Sequence, residues 1–530
     1  MKKLLAMVLT LCLMCGMFSF ALAEGDKPTI SYWCYSTGDY AEETFNENFV
    51  EDALGIEIVI NTTPHTEGEA VNLMLASDMP DCGWFPKSTT WMYDQELART
   101  IPVEMVREYC PGMIEQLDQY PIMWAQTLDP EDDTQFLCLP DMYNTYSDLY
   151  LWPIYLRYDW IEKLGIDLGD AQIEQITDQF YISDKPLTLD VFTEVLRGFV
   201  NGDPDGNGEA DTEGLVKNWS DLMGAFGMIS NNMDSGDGTP TVWYVDERCK
   251  DLLAYVRDLY AEGLIYEEIF TIGWGQDWEL INNGKCGVET GAASNYLNSW
   301  AATRPPLTLL NGDDPSVKVL MIPGVASNDG EFVSAAYIGK GFGGSNGIFY
   351  VRDDVDDEKL ATILKMVQFT CFPDSMETSA ILHYGEEGVD WNWNEAHDTP
   401  IPTENPRKQI AWGLSTQIGD YWRWLTFEEL FAKCTKYVVK DEGGLWLQYL
   451  KDQYVYDLYS ETEMANISNE YSADWGNVRN NYFMGVIMGE KNLDSDWDAY
   501  IAELNDYHFD EYMEEMNKAP RLADLMAQFE

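Results

Sequence analysis

Cations are scarce in this chain of 530 residues: 32 Lys and Arg stand against 92 Asp and Glu, a formal charge of −60. That balance argues against a nucleic-acid partner, because phosphate binding draws its affinity from cationic surface. It equally disfavours adsorption to an anionic membrane face. Histidine is rarer still. His65, His383, His397 and His508 stand apart from one another and outside any H-E-x-x-H pair, so the zinc-protease arrangement is missing. Beyond residue 23 no two cysteines form C-x-x-C, so the usual zinc and thioredoxin-like signatures are poorly supported. The sequence has no Walker loop. Gly339–Gly347 is glycine-rich but lacks the G-K-[ST] ending that cradles phosphate, and reads as a turn. Past the N-terminus no run reaches the roughly 18 apolar residues of a membrane span. No fixed repeat and no low-complexity linker occur.

What is present begins with a leader. Lys2 and Lys3 precede an apolar stretch from Leu4 to Phe20, and Ala21-Leu22-Ala23 comes next. This is a basic, an apolar and a cleavage region in the order of a secretory signal, so residues 1–23 are set aside. Lipid attachment needs a small residue before its cysteine. Cys12 follows Leu11 and Cys15 follows Met14, so cleavage after Ala23 and release to the extracellular face are expected. Eight cysteines remain, Cys34, Cys82, Cys110, Cys138, Cys249, Cys286, Cys371 and Cys434. Their wide scatter implies no dense disulfide framework, and several read as buried thiols.

The composition, 45% hydrophobic and 13% aromatic, rules out a disordered acidic tail. The length exceeds one compact core, so two or three domains are expected. Strand-like and helix-like segments alternate. Thr29–Tyr35 and Ile56–Ile60 read as strands, with a helix over Ala41–Leu54 between them and another over Gly68–Ala76. This β-α-β opening predicts an α/β lobe. Further helices are predicted over Leu189–Val200, capped by Thr188, over Glu247–Glu262 and over Glu358–Phe369.

The most specific motif is Asp203-Pro204-Asp205-Gly206-Asn207-Gly208-Glu209-Ala210-Asp211. It places oxygen donors at loop positions 1, 3, 5 and 9 and a glycine at 6, the spacing of an EF-hand-type calcium loop. The Glu209 carbonyl would serve position 7. Gly214 stands where a bidentate Glu is usual, and Glu213 is the nearest substitute. This points to a structural calcium clamp rather than a sensor, which needs that carboxylate to move a helix. The bland alternative is an Asp/Asn/Gly-rich turn that binds nothing.

Nineteen tryptophans are a high count, and many lie in polar, turn-like surroundings: Trp33, Trp84, Trp91, Trp274, Trp278, Trp391 and Trp393. An indole face can stack a sugar ring while neighbouring polar groups bond its hydroxyls. Taken singly, core packing is the commoner role. As a set, some of them are expected to line a cleft. Carboxylate pairs, by contrast, arise by chance among 92 acids, so a glycosidase dyad is not identifiable.

Several stretches together resemble the family 1 extracellular solute-binding proteins of bacterial ABC importers, in the large lipoprotein-like branch that includes alginate-binding proteins. They are the loop DPDGNGEAD, SDMPDCGWF (Ser77–Phe85), YVRDLYAEGLI (Tyr255–Ile265) with NNGKCGV (Asn282–Val288), HYGEEGVDWNW (His383–Trp393) and the C-terminal Gly489–Ala519. The resemblance implies a periplasmic-binding-protein-like α/β fold of two lobes, with ligand held between them and hinge crossings beneath. One lobe would hold residues 24–150 and 317–375, the other 151–316 and 376–530, with crossings at Tyr150–Tyr158 and Val317–Pro323. Carried over by position, Trp33, Trp84, Trp274, Trp278, Trp391 and Trp393 would face the cleft. Gly291 and Ala292 would approach the ligand from a turn, and Arg304 would bond it.

The function so implied is non-catalytic: a monomer that binds a carbohydrate and passes it to the permease subunits of a membrane importer. A secreted glycoside hydrolase or polysaccharide lyase is the alternative from another class, and a peptide-binding protein on the same scaffold is a third.

Overall fold

The computed structural model describes residues 27–518, except 35–42, 64–67, 86–91, 94, 119–123, 125–126, 130–131, 141–149, 152, 229–231, 236–238, 274, 291–303, 335, 338–347, 394–399, 404–405, 411 and 413–461. Within them, two sheets of five strands each organise two lobes.

The first sheet runs in the order Glu57–Asn61, Thr29–Trp33, Cys82–Phe85, Ile348–Val351, Leu139–Pro140. Its first three strands are parallel, and Ile348–Val351 runs against them. The two-residue period of a strand divides its side chains between two cores. Ile30 and Tyr32 enter the main core, while Trp33 packs on the opposite face with Val71, Met74 and Tyr350. The connecting helix, expected from Ala41, starts at Phe45 and ends at Leu54. Its start is set by a capping box: the Thr44 hydroxyl accepts the Glu47 N–H, and the Glu47 carboxylate accepts the Thr44 N–H. Gly55, at φ 68, closes it.

The second sheet runs Ile173–Gln175, Phe180–Ser183, Val319–Ile322, Ile154–Arg157, Val288–Glu289. All of Val319–Ile322 is buried, as a strand covered on both faces must be. Leu320 and Ile322 meet the helices Leu189–Asn201 and Arg248–Ala261. Thr188 caps the first of these by accepting the Val191 N–H. The long helix Thr462–Ile487 completes the same core through Tyr482, Phe483 and Val486.

Two boundaries differ from expectation. Val319–Ile322, expected as a crossing, is an interior strand of the second lobe. Tyr150–Leu151, at the start of the first expected crossing, pairs antiparallel with Ala336–Tyr337. Leu382, Ile410 and Trp412, expected in the second lobe, share a core with Ile30 and Val50 of the first. The physical link is Asn46, fully buried at the start of the helix Phe45–Leu54. Its amide donates to the Leu382 and Ile410 carbonyls at 2.7 and 2.8 Å and accepts the Ile410 N–H at 3.1 Å.

Seven cysteines are buried free thiols. Cys434, the signal segment and Gly339–Gly347 lie outside the described residues. Among the described residues, no helix is long and apolar enough to cross a membrane.

Candidate functional site

The first expected crossing enters the second sheet at Ile154. Val288–Glu289 pairs antiparallel with this strand, Glu289 opposite Tyr155. Glu289 and Thr290 therefore stand at the end of the second sheet where Ile154 enters it. Gly291 and Ala292 come next in sequence but lie outside the described residues, as does Trp274.

Around Glu289 the fold assembles a charged cluster in an almost dry setting. Glu289 is 5% exposed and Asp277, at the start of the helix Gln276–Asn282, 4%. Lys217 reaches Asp277 at 3.1 Å. The Thr290 hydroxyl donates to the Lys217 carbonyl at 2.9 Å, and the Asn218 amide to the Thr290 carbonyl at 3.0 Å. Burial drives the Glu289 pKa well above the carboxylate range and the Asp277 charge adds to this, while Trp278 and Lys217 oppose it. Arg304 lies over the Trp278 ring, 4.8 Å from its centroid. Trp278 itself stays partly exposed. Of the residues expected from sequence, Trp278 and Arg304 are thus brought together. Lys217, Asp277 and Glu289 were missed. The signal was available in Glu289, a carboxylate closing the apolar run Cys286-Gly287-Val288.

Three other tryptophans depart from expectation. Trp33, Trp84 and Trp391 are 0%, 1% and 0% exposed, so none presents an open ring face here. Each indole N–H instead ties down a loop carbonyl: Trp33 to Thr63 at 2.8 Å, Trp84 to Trp412 at 2.8 Å and Trp391 to Gly385 at 2.9 Å. Burial of a large ring with its N–H satisfied is the usual structural use of tryptophan. Trp393 remains partly exposed, edge-on to Trp391 at 5.3 Å.

The acidic loop leaves the helix Leu189–Asn201 as a tight turn, with Gly206 at φ 78 and Gly208 at φ 87. The Asp203 Oδ1 atom is buried without a hydrogen-bond partner, which is costly unless a cation or proton faces it. The Asn207 amide donates to Asp205 at 2.9 Å and to Asp211 at 3.0 Å. Lys285 pairs with Asp211 and, above all through that hydrogen bond, lowers its pKa. Lys163 donates to the Pro204 carbonyl at 2.9 Å. Positive groups therefore already converge on this loop, and its oxygens are the right kind for calcium. Among the described residues no three acidic, His or Cys side chains form a preassembled metal cluster. Burial, then Glu267, raises the pKa of Glu213. Beside the loop lies a 650 Å³ depression lined in part by Arg157, Asp159, Lys163 and Asp314.

No protein-family model matches the chain. It is 23% identical over 78% of its length to the fructooligosaccharide ABC transporter substrate-binding protein FusA of Streptococcus pneumoniae, spanning 74% of that protein. It is 26% identical to the polygalacturonan/rhamnogalacturonan-binding protein YtcQ of Bacillus subtilis, over 46% of this chain and 43% of YtcQ, less than half its length. Among solved structures, FusA in complex with kestose superposes with a TM-score of 0.66 at 18% identity, over 94% of this chain and 99% of that one. A human-milk-oligosaccharide-binding solute-binding protein from Bifidobacterium longum infantis gives 0.67 at 16%, with the same coverages. Alginate-binding protein AlgQ2, solved without calcium ion, gives 0.61 at 17%, over 93% and 98%. An EF-hand mutant of FusA is also among the matches. The fold is that of two-domain substrate-binding proteins.

Proposed function

We propose that this protein is the extracytoplasmic substrate-binding component of an ABC importer, that it takes up an oligosaccharide between its lobes, and that it delivers the sugar unaltered to membrane permease subunits. The observation that carries this reading is the two-lobed architecture, matched almost end to end by binding proteins whose names record sugar ligands. The aromatic and charged wall at Trp278 and Arg304 is the kind of surface that stacks a sugar ring and bonds its hydroxyls. The partly exposed Trp393 is the other described tryptophan retained for such a role. Lobe closure is then a population shift toward the state that ligand binds better. Titrating the mature protein with a glycan panel while following tryptophan fluorescence tests this. A saturable change with one class of oligosaccharide is expected. A response to peptides and to no sugar would overturn the carbohydrate assignment, and new reducing ends in the mixture would overturn the non-catalytic one.

The loop at 203–211 would hold calcium through Asp203, Asp205, Asn207, Asp211 and the Glu209 carbonyl. When bound, the ion supplies a rigid tie at the base of the helix Leu189–Asn201. Calcium restored after chelation is expected to raise the melting temperature, by about 2.7 kcal/mol of stability at a hundred times its dissociation constant. Asp203→Ala should abolish that rise, and an unchanged calcium response in the variant would refute the site.

A further inference from the structure

We infer that the Lys285 ammonium is the loop's own counter-ion: it occupies the Asp211 carboxylate that calcium would need, so ion and ammonium compete and Lys285 sets the affinity of the clamp. The inference rests on the calcium site proposed above and concerns how this chain tunes it. Three observations converge on it. Lys285 pairs with Asp211 through the Oδ2 oxygen. The other oxygen, Oδ1, accepts the Asn207 amide at 3.0 Å, so both oxygens of the donor at loop position 9 are engaged. Lys285 is also pinned at its backbone. Its N–H donates to the Leu280 carbonyl at 2.8 Å, and its carbonyl accepts the Glu213 N–H at 2.7 Å. The next residue, Cys286, bridges Glu213 in parallel.

That pinning decides the outcome of displacement. A lysine on a free loop would leave as calcium arrives. Here the backbone is stitched to the segment that exits the calcium loop, so a displaced ammonium stays within a side chain's length of the ion. Calcium has to break the pair and then bear a positive neighbour, and the charge gathered around a calcium ion tunes its affinity. Lys163 plays a different part. Its ammonium meets the backbone carbonyls of Asp203 at 3.2 Å and Pro204 at 2.9 Å, so it braces the loop without taking a side-chain donor from the ion. The buried Asp203 Oδ1 receives a hydrogen bond from neither lysine. The ammonium therefore stands in for calcium at the Asp211 end of the loop and not at the Asp203 end.

The test is calorimetric titration of the chelator-stripped mature protein with calcium, comparing wild type, Lys285→Met and Lys285→Arg, with melting temperatures in chelator and in calcium. Lys285→Met keeps the length of the side chain and removes its charge. It should bind calcium about fivefold more tightly than wild type, the scale set by an exposed ion pair. Its melting temperature should rise further than that of wild type at the same calcium concentration. Lys285→Arg keeps the charge and should bind within about twofold of wild type. Equal or weaker calcium binding by Lys285→Met would overturn the inference while leaving the site intact. So would a calcium-loaded structure in which Lys285 remains paired with Asp211. If Lys285→Met fails to fold, that wild-type structure decides alone. Absence of calcium binding by wild type would instead overturn the site on which the inference rests.

Discussion

At the residue scale, the tryptophans teach where a sequence signal misleads. Polar, turn-like surroundings suggested open rings. For Trp33, Trp84 and Trp391 those surroundings are loops whose carbonyls accept the indole N–H, so the same pattern serves anchoring. Trp278 and Arg304 did come together, but the Glu289, Asp277 and Lys217 cluster depends on contacts between residues some 60 to 72 apart in sequence, which local reading does not supply. Gly214 has a physical reason that the loop motif did not disclose. A Cβ there would lie 2.1 Å from the Leu264 carbonyl, which accepts the Leu215 N–H at 2.9 Å. No side chain fits, so the glutamate usual at this loop position is excluded by the backbone. Gly214→Ala is expected to destabilise by about 1–3 kcal/mol, the usual range for overpacking, as read from thermal or denaturant unfolding.

Asp390 gives a pH-dependent case. It is fully buried and accepts the Glu386 and Arg407 N–H groups, both at 2.8 Å, as well as the Arg407 guanidinium at 2.7 Å. Burial opposes its charge, but the Arg407 and backbone hydrogen bonds outweigh it and hold its pKa below the ordinary value. A depressed carboxylate stabilises the fold above its unfolded pKa, near 3.9, and loses that contribution as pH falls through the folded value. Asp390→Ala should therefore cost roughly 1–3 kcal/mol at pH 7. The gap to wild type should shrink below about pH 4, and denaturant titrations at both pH values measure it.

At the element scale, helices with a strong apolar stripe were legible to within a few residues. Leu189–Asn201 and Arg248–Ala261 carry their buried faces where the 3.6-residue period puts them. The first helix was placed too early because the apolar pattern does not mark its start. The Thr44 capping box does. What the pattern could not convey is which core receives a segment. The helix Met376–Tyr384 and the stretch ending at Trp412 were assigned by order along the chain, yet Asn46 docks them on the first lobe through hydrogen bonds spanning 336 and 364 residues. Asn46→Ala removes two donors and an acceptor from a dry site and leaves the Leu382 and Ile410 groups unpaired. A loss of about 3 kcal/mol is expected, since each unpaired buried group costs roughly 1–3 kcal/mol. Hydrogen exchange should show residues 382–412 opening earlier than in wild type. Unchanged protection there would mean the docking rests on apolar contacts alone.

At the scale of the whole molecule, the two-lobed α/β class was legible because the alternation of strands and helices and the ordered motifs both run the length of the chain. The second expected crossing was not, since a strand buried on both faces and a hinge strand are both short apolar runs. Val319–Ile322 was the casualty. With a net charge of −60, long-range attraction cannot draw in an anionic glycan, so the proposed binding would have to come from ring stacking and hydroxyl contacts. The most direct measurement is native mass spectrometry of the mature, calcium-replete protein mixed with a panel of oligosaccharides. The account predicts a one-to-one complex whose added mass equals one intact glycan, with free glycan masses unchanged on prolonged incubation. Shortened glycans, or no complex with any saccharide, would contradict it.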